Sequence, residues 1–358
     1  MANTLLVTGA AGFIGANFVH YWLRTYPQDT VIAYDALTYA GNRASLATLE
    51  GLPQFRFVQA DIRDEETVSQ LLRDQQVTHL VHFAAESHVD RSISGPDAFI
   101  DTNIVGTHSL LKAARAVWLD EGDGKEHRFH HVSTDEVYGS LTMDDPGFHE
   151  EQQYQPNSPY SASKAASDHL VRAYHHTYGL NVSVSNCSNN YGPLHFPEKL
   201  IPLCITNVLR GRPLPIYGDG SNIRDWLYVE DHCRGIDLVM NGGRLGESYN
   251  IGGNNERSSL QLVKVLCAQL DERFASDQTL AKQFPQAPQA RGLSAESLIE
   301  FVEDRAGHDW RYAIDATRIS DELGYEPQET FESGMEKTLD WFLNNESWWR
   351  PLLLSDEA

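Results

Sequence analysis

Residues 4–23 carry a pattern that few folds can accommodate. The apolar run Thr4-Leu5-Leu6-Val7-Thr8 leads directly into Gly9-Ala10-Ala11-Gly12-Phe13-Ile14-Gly15, after which Phe18, Val19, Trp22 and Leu23 recur at helical spacing. The order is strand, glycine turn, helix. Glycines let a backbone approach a pyrophosphate closely, and a helix amino end offers unpaired N–H groups and a favourable dipole. The spacing is Gly-x-x-Gly-x-x-Gly rather than Gly-x-Gly-x-x-Gly, and a tight turn without a ligand could use the same residues. A second strand, Thr30 to Tyr34, ends at Asp35, twenty residues after Gly15. An acid there accepts hydrogen bonds from a ribose diol and repels a 2′-phosphate, which selects NAD over NADP.

The alternation continues. Phe55 to Gln59 reads as a strand ending near Asp61-Ile62, Glu65 to Gln75 as a helix, and Thr78 to Phe83 as a strand ending at Ala84-Ala85-Glu86-Ser87. Ile104 to Trp118 reads as a helix, Arg128 to Ser133 and Val182 to Cys187 as strands, and Asp144 to Pro159 as a polar, mobile loop. The expected class is α/β, a doubly wound parallel Rossmann-type sheet with a smaller C-terminal α/β substrate domain. Residues 1–192 form the NAD-binding part with the catalytic residues, and 193–358 mainly a substrate-binding part, some segments of which return to the first domain. Thr317 to Leu323 reads as a short helix and Phe331 to Leu343 as an amphipathic one, whereas 275–294 lacks periodicity and reads as a surface excursion.

Two stretches carry chemistry. Phe129 to Gly139 is an apolar run that ends in Ser133-Thr134-Asp135-Glu136, a hydroxyl followed by two carboxylates where a buried strand would stop. Adjacent carboxylates can divide into proton donor and acceptor when their environments separate their pKa values, or they can simply cap a turn. Further on, Tyr160 and Lys164 share a helix face. An ammonium four residues away lowers a phenol's pKa toward use as a base, although surface helices also contain this pair by chance.

Length allows one large α/β domain plus a smaller one, and a formal charge of −22 repels nucleic acid and anionic membranes. A phosphorylated ligand therefore needs local donors, for which Lys199, Arg212, Arg224, Arg305 and His308 are candidates. Cys187, Cys204, Cys233 and Cys267 lack paired or metal-ligand spacing and read as buried thiols of a reducing cytoplasm. His79, His82, His88 and the pairs His130-His131 and His175-His176 complete no metal set. No apolar run has the length of a membrane span, so a soluble cytoplasmic protein is expected.

With the glycine turn, Asp35, Thr134-Asp135-Glu136 and Tyr160 to Lys164 in hand, the chain resembles the extended short-chain dehydrogenase/reductases, and among them the nucleotide-sugar dehydratases. Ser133 to Gly139, Asn186 to Pro202, Ile223 to Asp231 and Asp304 to Asp315 carry the rest of the likeness. The resemblance implies bound NAD, a homodimer, and conversion of dTDP-glucose to dTDP-4-keto-6-deoxy-glucose, a step toward deoxysugars such as rhamnose. It implies that Tyr160 takes the C4 hydroxyl proton, that Lys164 lowers the pKa of Tyr160 and holds the ribose, and that Thr134 orients the C4 oxygen. Glu136 would remove the C5 proton and Asp135 protonate the departing C6 hydroxyl. Gly9, Gly12, Phe13, Ile14, Gly15, Asp35, Leu37, Thr38, Asp61, Ile62, Ala84, Ala85, Thr102 and Asn190 match cofactor positions. Ser87, Asn189, Lys199, Leu200, Pro215, Tyr217, Arg224, Ser259, Arg305 and His308 match substrate positions. Ser259 stands where the family usually shows Asn, and Ala306 where it shows Pro. A 4-epimerase of the same fold, a dehydratase acting on UDP-, CDP- or GDP-sugars, and a non-catalytic NAD-binding scaffold are the alternatives.

Overall fold

A computed structural model describes residues 2–304 and 308–355. In chain order, β1 (Thr4–Thr8), α1 (Phe13–Thr25), β2 (Thr30–Asp35), β3 (Phe55–Gln59), α2 (Glu65–Asp74) and β4 (His79–His82) lead into α3 (Val89–Ser94), α4 (Asp97–Phe99) and α5 (Thr107–Arg115). Then come β5 (Arg128–Thr134), α6 (Pro159–Tyr178), β6 (Val182–Cys187), β7 (Asn189–Tyr191), α7 (Leu200–Leu209), β8 (Leu214–Tyr217), β9 (Ile223–Tyr228), α8 (Val229–Gly242) and β10 (Ser248–Ile251). The remainder is β11 (Glu256–Ser258), α9 (Ser259–Ser276), α10 (Thr279–Gln283), β12 (Ile299–Val302), α11 (Thr317–Leu323), α12 (Phe331–Asn344) and α13 (Glu346–Ser355).

Seven parallel strands make the main sheet in the order β10-β6-β5-β4-β1-β2-β3. Both faces are covered, so the inner strands are buried along most of their length, and the polar residues they carry pair within the sheet, as His130 of β5 does with Ser183 and Ser185 of β6. Leu5 and Val7 of β1 join one core with Phe18 and Trp22 of α1 and Ile236 and Val239 of α8. Leu6 points the other way, into a core with Leu71 of α2, Leu110 of α5 and Val171 of α6. Strand order reverses between β1 and β4, so the chain leaves their carboxyl ends in opposite directions and opens a crevice there.

The second half builds a separate core around α7, α9 and α12, with β11-β9-β7 and β12-β8 as small sheets. It also crosses back: β10 pairs with β6 and extends the main sheet, while α8 packs on α1.

Three expectations change. Helix runs from Asp97 through π-helical Ile100–Gly106, α5 and π-helical Ala116–Glu121, well beyond residues 104–118, and stops at Gly122 with φ 65°. Segment 275–294 is no surface excursion, since Leu280, Phe284 and Ala287 are buried in the second core; turns and short helices between them hide the periodicity. The loop from Asp144 to Pro159 is tied down by Phe148, which is fully buried and donates its N–H to Ala313 O at 2.8 Å.

Candidate active site

A cleft of about 750 Å³ opens along the carboxyl ends of the main sheet and continues under the small sheets. On one side the glycine turn forms its floor. Gly9, with φ 66°, packs so closely on β4 that a Cβ would lie 2.6 Å from Ala84 N, and a Cβ on Gly15 would lie 2.2 Å from Gly9 O. The amino end of α1 has no side-chain cap and faces this turn. Asp35 is fixed by two backbone donors, Ala11 N to Oδ2 at 2.9 Å and Leu37 N to Oδ1 at 2.7 Å; burial raises its pKa and these N–H groups oppose that. Phe13, Ile14, Thr38, Asp61, Ile62, Ala84, Ala85 and Thr102 line the same side, while Leu37 lies off the lining.

The wall between the two sides comes from β5 and α6. A Ser158 cap and Pro159 start α6, which places Tyr160 and Lys164 on its inner face, both buried. Thr134 and Glu136 reach the cleft beside them. Thr134 Oγ1 accepts Glu136 N at 3.3 Å and donates to Asp135 Oδ1 at 3.4 Å. Asp135 stands behind the lining, with Oδ2 buried and unpartnered. Burial, then Glu136 and Asp225, hold its pKa well above the usual carboxylate range, which favours its acid form beside Glu136.

The phenol of Tyr160 is raised well above its ordinary value by burial, then by Glu136 and Cys187, with Thr134 pulling the other way. The expected effect of Lys164 on it is therefore not what sets its pKa here. The ammonium is turned to Val132 O at 2.9 Å and lies 3.3 Å from His131 Nε2.

On the far side, β7, α7, β8, β9 and the start of α9 contribute Asn189, Lys199, Leu200, Pro215, Tyr217, Arg224 and Ser259, with Ser87 and His308; Asn190, a cofactor position by resemblance, lines the same cleft next to Asn189. Lys199 Nζ donates to Ser87 O at 3.0 Å. Arg224 lies over the Tyr312 ring at 4.2 Å and donates to Asp309 O at 3.0 Å. Asn189 Oδ1 is buried with no partner, an acceptor left for a ligand. Arg305 and Ala306 lie outside the described residues, and Arg212 lies off the lining.

Sequence reasoning missed several lining residues. Among them are Glu198, which meets Arg91 at 3.3 Å, Trp226, Tyr312, and His195, whose ring stacks on Phe13 at 4.1 Å and whose pKa burial lowers to about 3. None has a spacing signal, because each meets the cleft only through tertiary packing. Among the described residues no group of three His, Cys, Asp or Glu side chains could hold a metal, and no helix is long and apolar enough to cross a membrane.

A dinucleotide cradle and a Tyr-Lys pair on one crevice, with Glu136 at its wall and Asp135 buried behind it, define a dehydrogenase-type enzyme of the extended short-chain class. The family model for GDP-mannose 4,6 dehydratase matches residues 6–338, so the chain belongs to that family. The dTDP-glucose 4,6-dehydratase of Xanthomonas campestris pv. campestris is 55% identical over 349 residues, 96% of this chain and 94% of that one. The dTDP-glucose 4,6-dehydratase 1 of Escherichia coli K12 is 52% identical over 354 residues, again 96% and 94%. A crystal structure of the Streptomyces venezuelae dTDP-glucose 4,6-dehydratase with NAD and TYD bound superposes with TM-score 0.86 at 48% identity, covering 98% of this chain and 99% of that one. The Thermotoga maritima UDP-glucose 4-epimerase shares the fold at TM-score 0.80 and 26% identity, covering 96% and 99%.

Proposed function

We propose that the protein dehydrates dTDP-glucose to dTDP-4-keto-6-deoxy-glucose. The observation that carries this reading is the pairing on one wall of Tyr160 and Lys164 with Thr134, Asp135 and Glu136, one of the carboxyls buried behind the lining and the other at the cleft. The residues fit NAD: the Gly9–Gly15 cradle is one that a Cβ would fill, and Asp35 presents a carboxylate where a 2′-phosphate would be repelled. NAD, when bound, accepts the C4 hydride, returns it at C6, and brings positive charge to a cleft where the phenol of Tyr160 is otherwise held neutral.

Tyr160 takes the C4 hydroxyl proton, Thr134 orients that oxygen, and Lys164 holds ribose. Oxidation at C4 acidifies the C5 hydrogen, which Glu136 removes. Asp135 supplies the proton that makes the C6 hydroxyl a leaving group, with the Thr134 hydroxyl standing between it and the cleft. Residues 1–192 carry the cofactor and this chemistry, and 193–358 mainly the nucleotide, with Arg224, Lys199 and His308 toward the phosphates, Pro215 and Tyr217 toward the base, and Arg305 as a further phosphate contact. Solvent-exposed Ile93, Ile100 and Val105 on the α3–α5 side support a homodimer. A cytoplasmic site and a role in supplying deoxysugars such as rhamnose complete the reading.

Incubation with dTDP-, UDP-, CDP- and GDP-glucose in heavy water tests it. The expected result is a 4-keto-6-deoxy product from dTDP-glucose, with deuterium at C5 and the former C4 hydrogen in the C6 methyl group. A C4 epimer without C5 label would instead establish the epimerase, and product from another nucleotide would move the specificity.

A further inference from the structure

Behind the Tyr160-Lys164 pair lies a second buried group that the reaction as described does not use. Asp168 sits one helical turn beyond Lys164 on α6 and is 0% exposed. Its Oδ2 accepts Ser133 Oγ at 2.8 Å, Tyr154 OH at 3.1 Å and Asn186 Nδ2 at 3.4 Å. Such donors stabilise a carboxylate in its charged form. The Nε2 of His131 lies 3.1 Å from Asp168 Oδ1 and 3.3 Å from Lys164 Nζ, so this imidazole stands between the two charges. Burial keeps His131 well below its ordinary pKa; burial also raises the pKa of Asp168, and the Lys164 charge together with the Ser133, Tyr154 and Asn186 donors opposes that rise by favouring the carboxylate. An ammonium this deep is tolerated only with a compensating charge.

The same carboxylate organises the wall. Ser133 immediately precedes Thr134, and Asn186, which also donates to Thr134 O at 3.2 Å, sits on the neighbouring strand β6. Asp168 thus ties the strand end that carries Thr134 to the helix that carries Tyr160 and Lys164.

We propose that Asp168 is a positioning residue for the oxidation step, the counter-charge that holds the Lys164 ammonium in the site and fixes it against the strand end bearing Thr134. The proposal rests on the reading of Tyr160 and Lys164 as the oxidising pair. The titratable groups facing Lys164 are His131 from β5, His82 from β4, Cys187 from β6, and Tyr160 and Asp168 from its own helix. Burial lowers the ammonium's pKa, and Asp168 is the carboxylate that opposes this.

The test follows reduction of bound NAD on mixing the holoenzyme with dTDP-glucose across pH. Asp168→Asn is expected to slow reduction about tenfold or more, to move the alkaline limb of the profile down by about one pH unit or more, and to change KM little. Asp168→Glu, which keeps the charge, should return the limb toward its original place. A uniform loss of rate with an unmoved limb would reduce Asp168 to a structural acceptor and overturn the proposal. A stability cycle with Lys164→Met decides independently. Without the cation Asp168 is an uncompensated buried anion, so Asp168→Asn should lower Tm in the wild-type background and raise it beside Lys164→Met. Equal losses in both, or failure to fold in both, would overturn the pairing; folding of only the double variant would support it. If the unaltered protein does not reduce NAD with dTDP-glucose, the functional reading fails, while the stability cycle still decides the pair.

Discussion

The two sides of the cleft reach similar ends by different routes. On the cofactor side most of the wall follows the ends of strands in one sheet: Gly9 after β1, Asp35 closing β2, Asp61 after β3 and Ala84 after β4. On the sugar-nucleotide side the walls come from β7, α7, β8, β9 and α9, elements of two small sheets and their helices with no common register. One side is fixed by backbone that a single repeated unit delivers. The other depends on long side chains, Lys199 and Arg224, placed by packing at distance. A change on the cofactor side should therefore act through backbone shape and on NAD, and a change on the other through affinity for one ligand.

The largest effect should fall on the shared wall. Glu136→Gln keeps the shape of the site but cannot accept the C5 proton, so rapid-quench analysis should find NADH and a 4-keto-glucose nucleotide accumulating while 6-deoxy product falls about a hundredfold to ten-thousandfold. Undiminished product would remove Glu136 from the elimination. Next, Gly15→Ala sets a Cβ against Gly9 O, a clash of backbone with backbone. Overpacking of this kind costs about 1–3 kcal/mol, and NAD affinity measured by calorimetry should fall by about five- to 150-fold. If instead only KM for dTDP-glucose moved, the separation of the two sides would be broken.

Arg224→Lys is the matching change opposite. It loses the planar group stacked on Tyr312 and the fork that donates to Ile223 O and Asp309 O. KM for dTDP-glucose should rise about tenfold with NAD content unchanged, the worth of one charged hydrogen bond. The smallest effect sharpens the description of the shared wall. Asp135 has a folded pKa above its unfolded value, so it favours folding only below the ordinary carboxylate value of 3.8, and that contribution is lost as pH rises toward the raised folded value. Asp135→Asn should therefore raise Tm by a few degrees at pH 8 and by less at pH 4. An equal gain at both would mean that Asp135 is not held neutral.

The same contrast explains what the sequence could disclose. Strand, turn and Asp35 are read from neighbours in the chain, and β1, β3, β6 and α11 have the bounds that periodicity suggests. The resemblance to nucleotide-sugar dehydratases placed the far-side residues, which spacing alone could not, and all but Arg305 line the cleft; Arg305 lies outside the described residues. Phe284 and Leu280 were misjudged because a core assembled from turns has no period. The raised pKa of Asp135, its place behind the lining, and the turning of Lys164 toward Val132 O arise from burial and neighbouring charge, which no linear pattern encodes.

The return of β10 to the main sheet bears on how the molecule is made. A chain emerging from the ribosome completes β1 to β6 early, yet β6 keeps an open edge until residues 248–251 have been synthesised and can pair with it. An edge strand with unpaired N–H and C=O groups is a template for wrong partners. Vectorial synthesis therefore leaves the nascent first half sticky for the whole interval in which α7, β8, β9 and α8 are being added. A fragment ending at residue 192 would keep that edge permanently and be prone to aggregate, however complete its dinucleotide cradle.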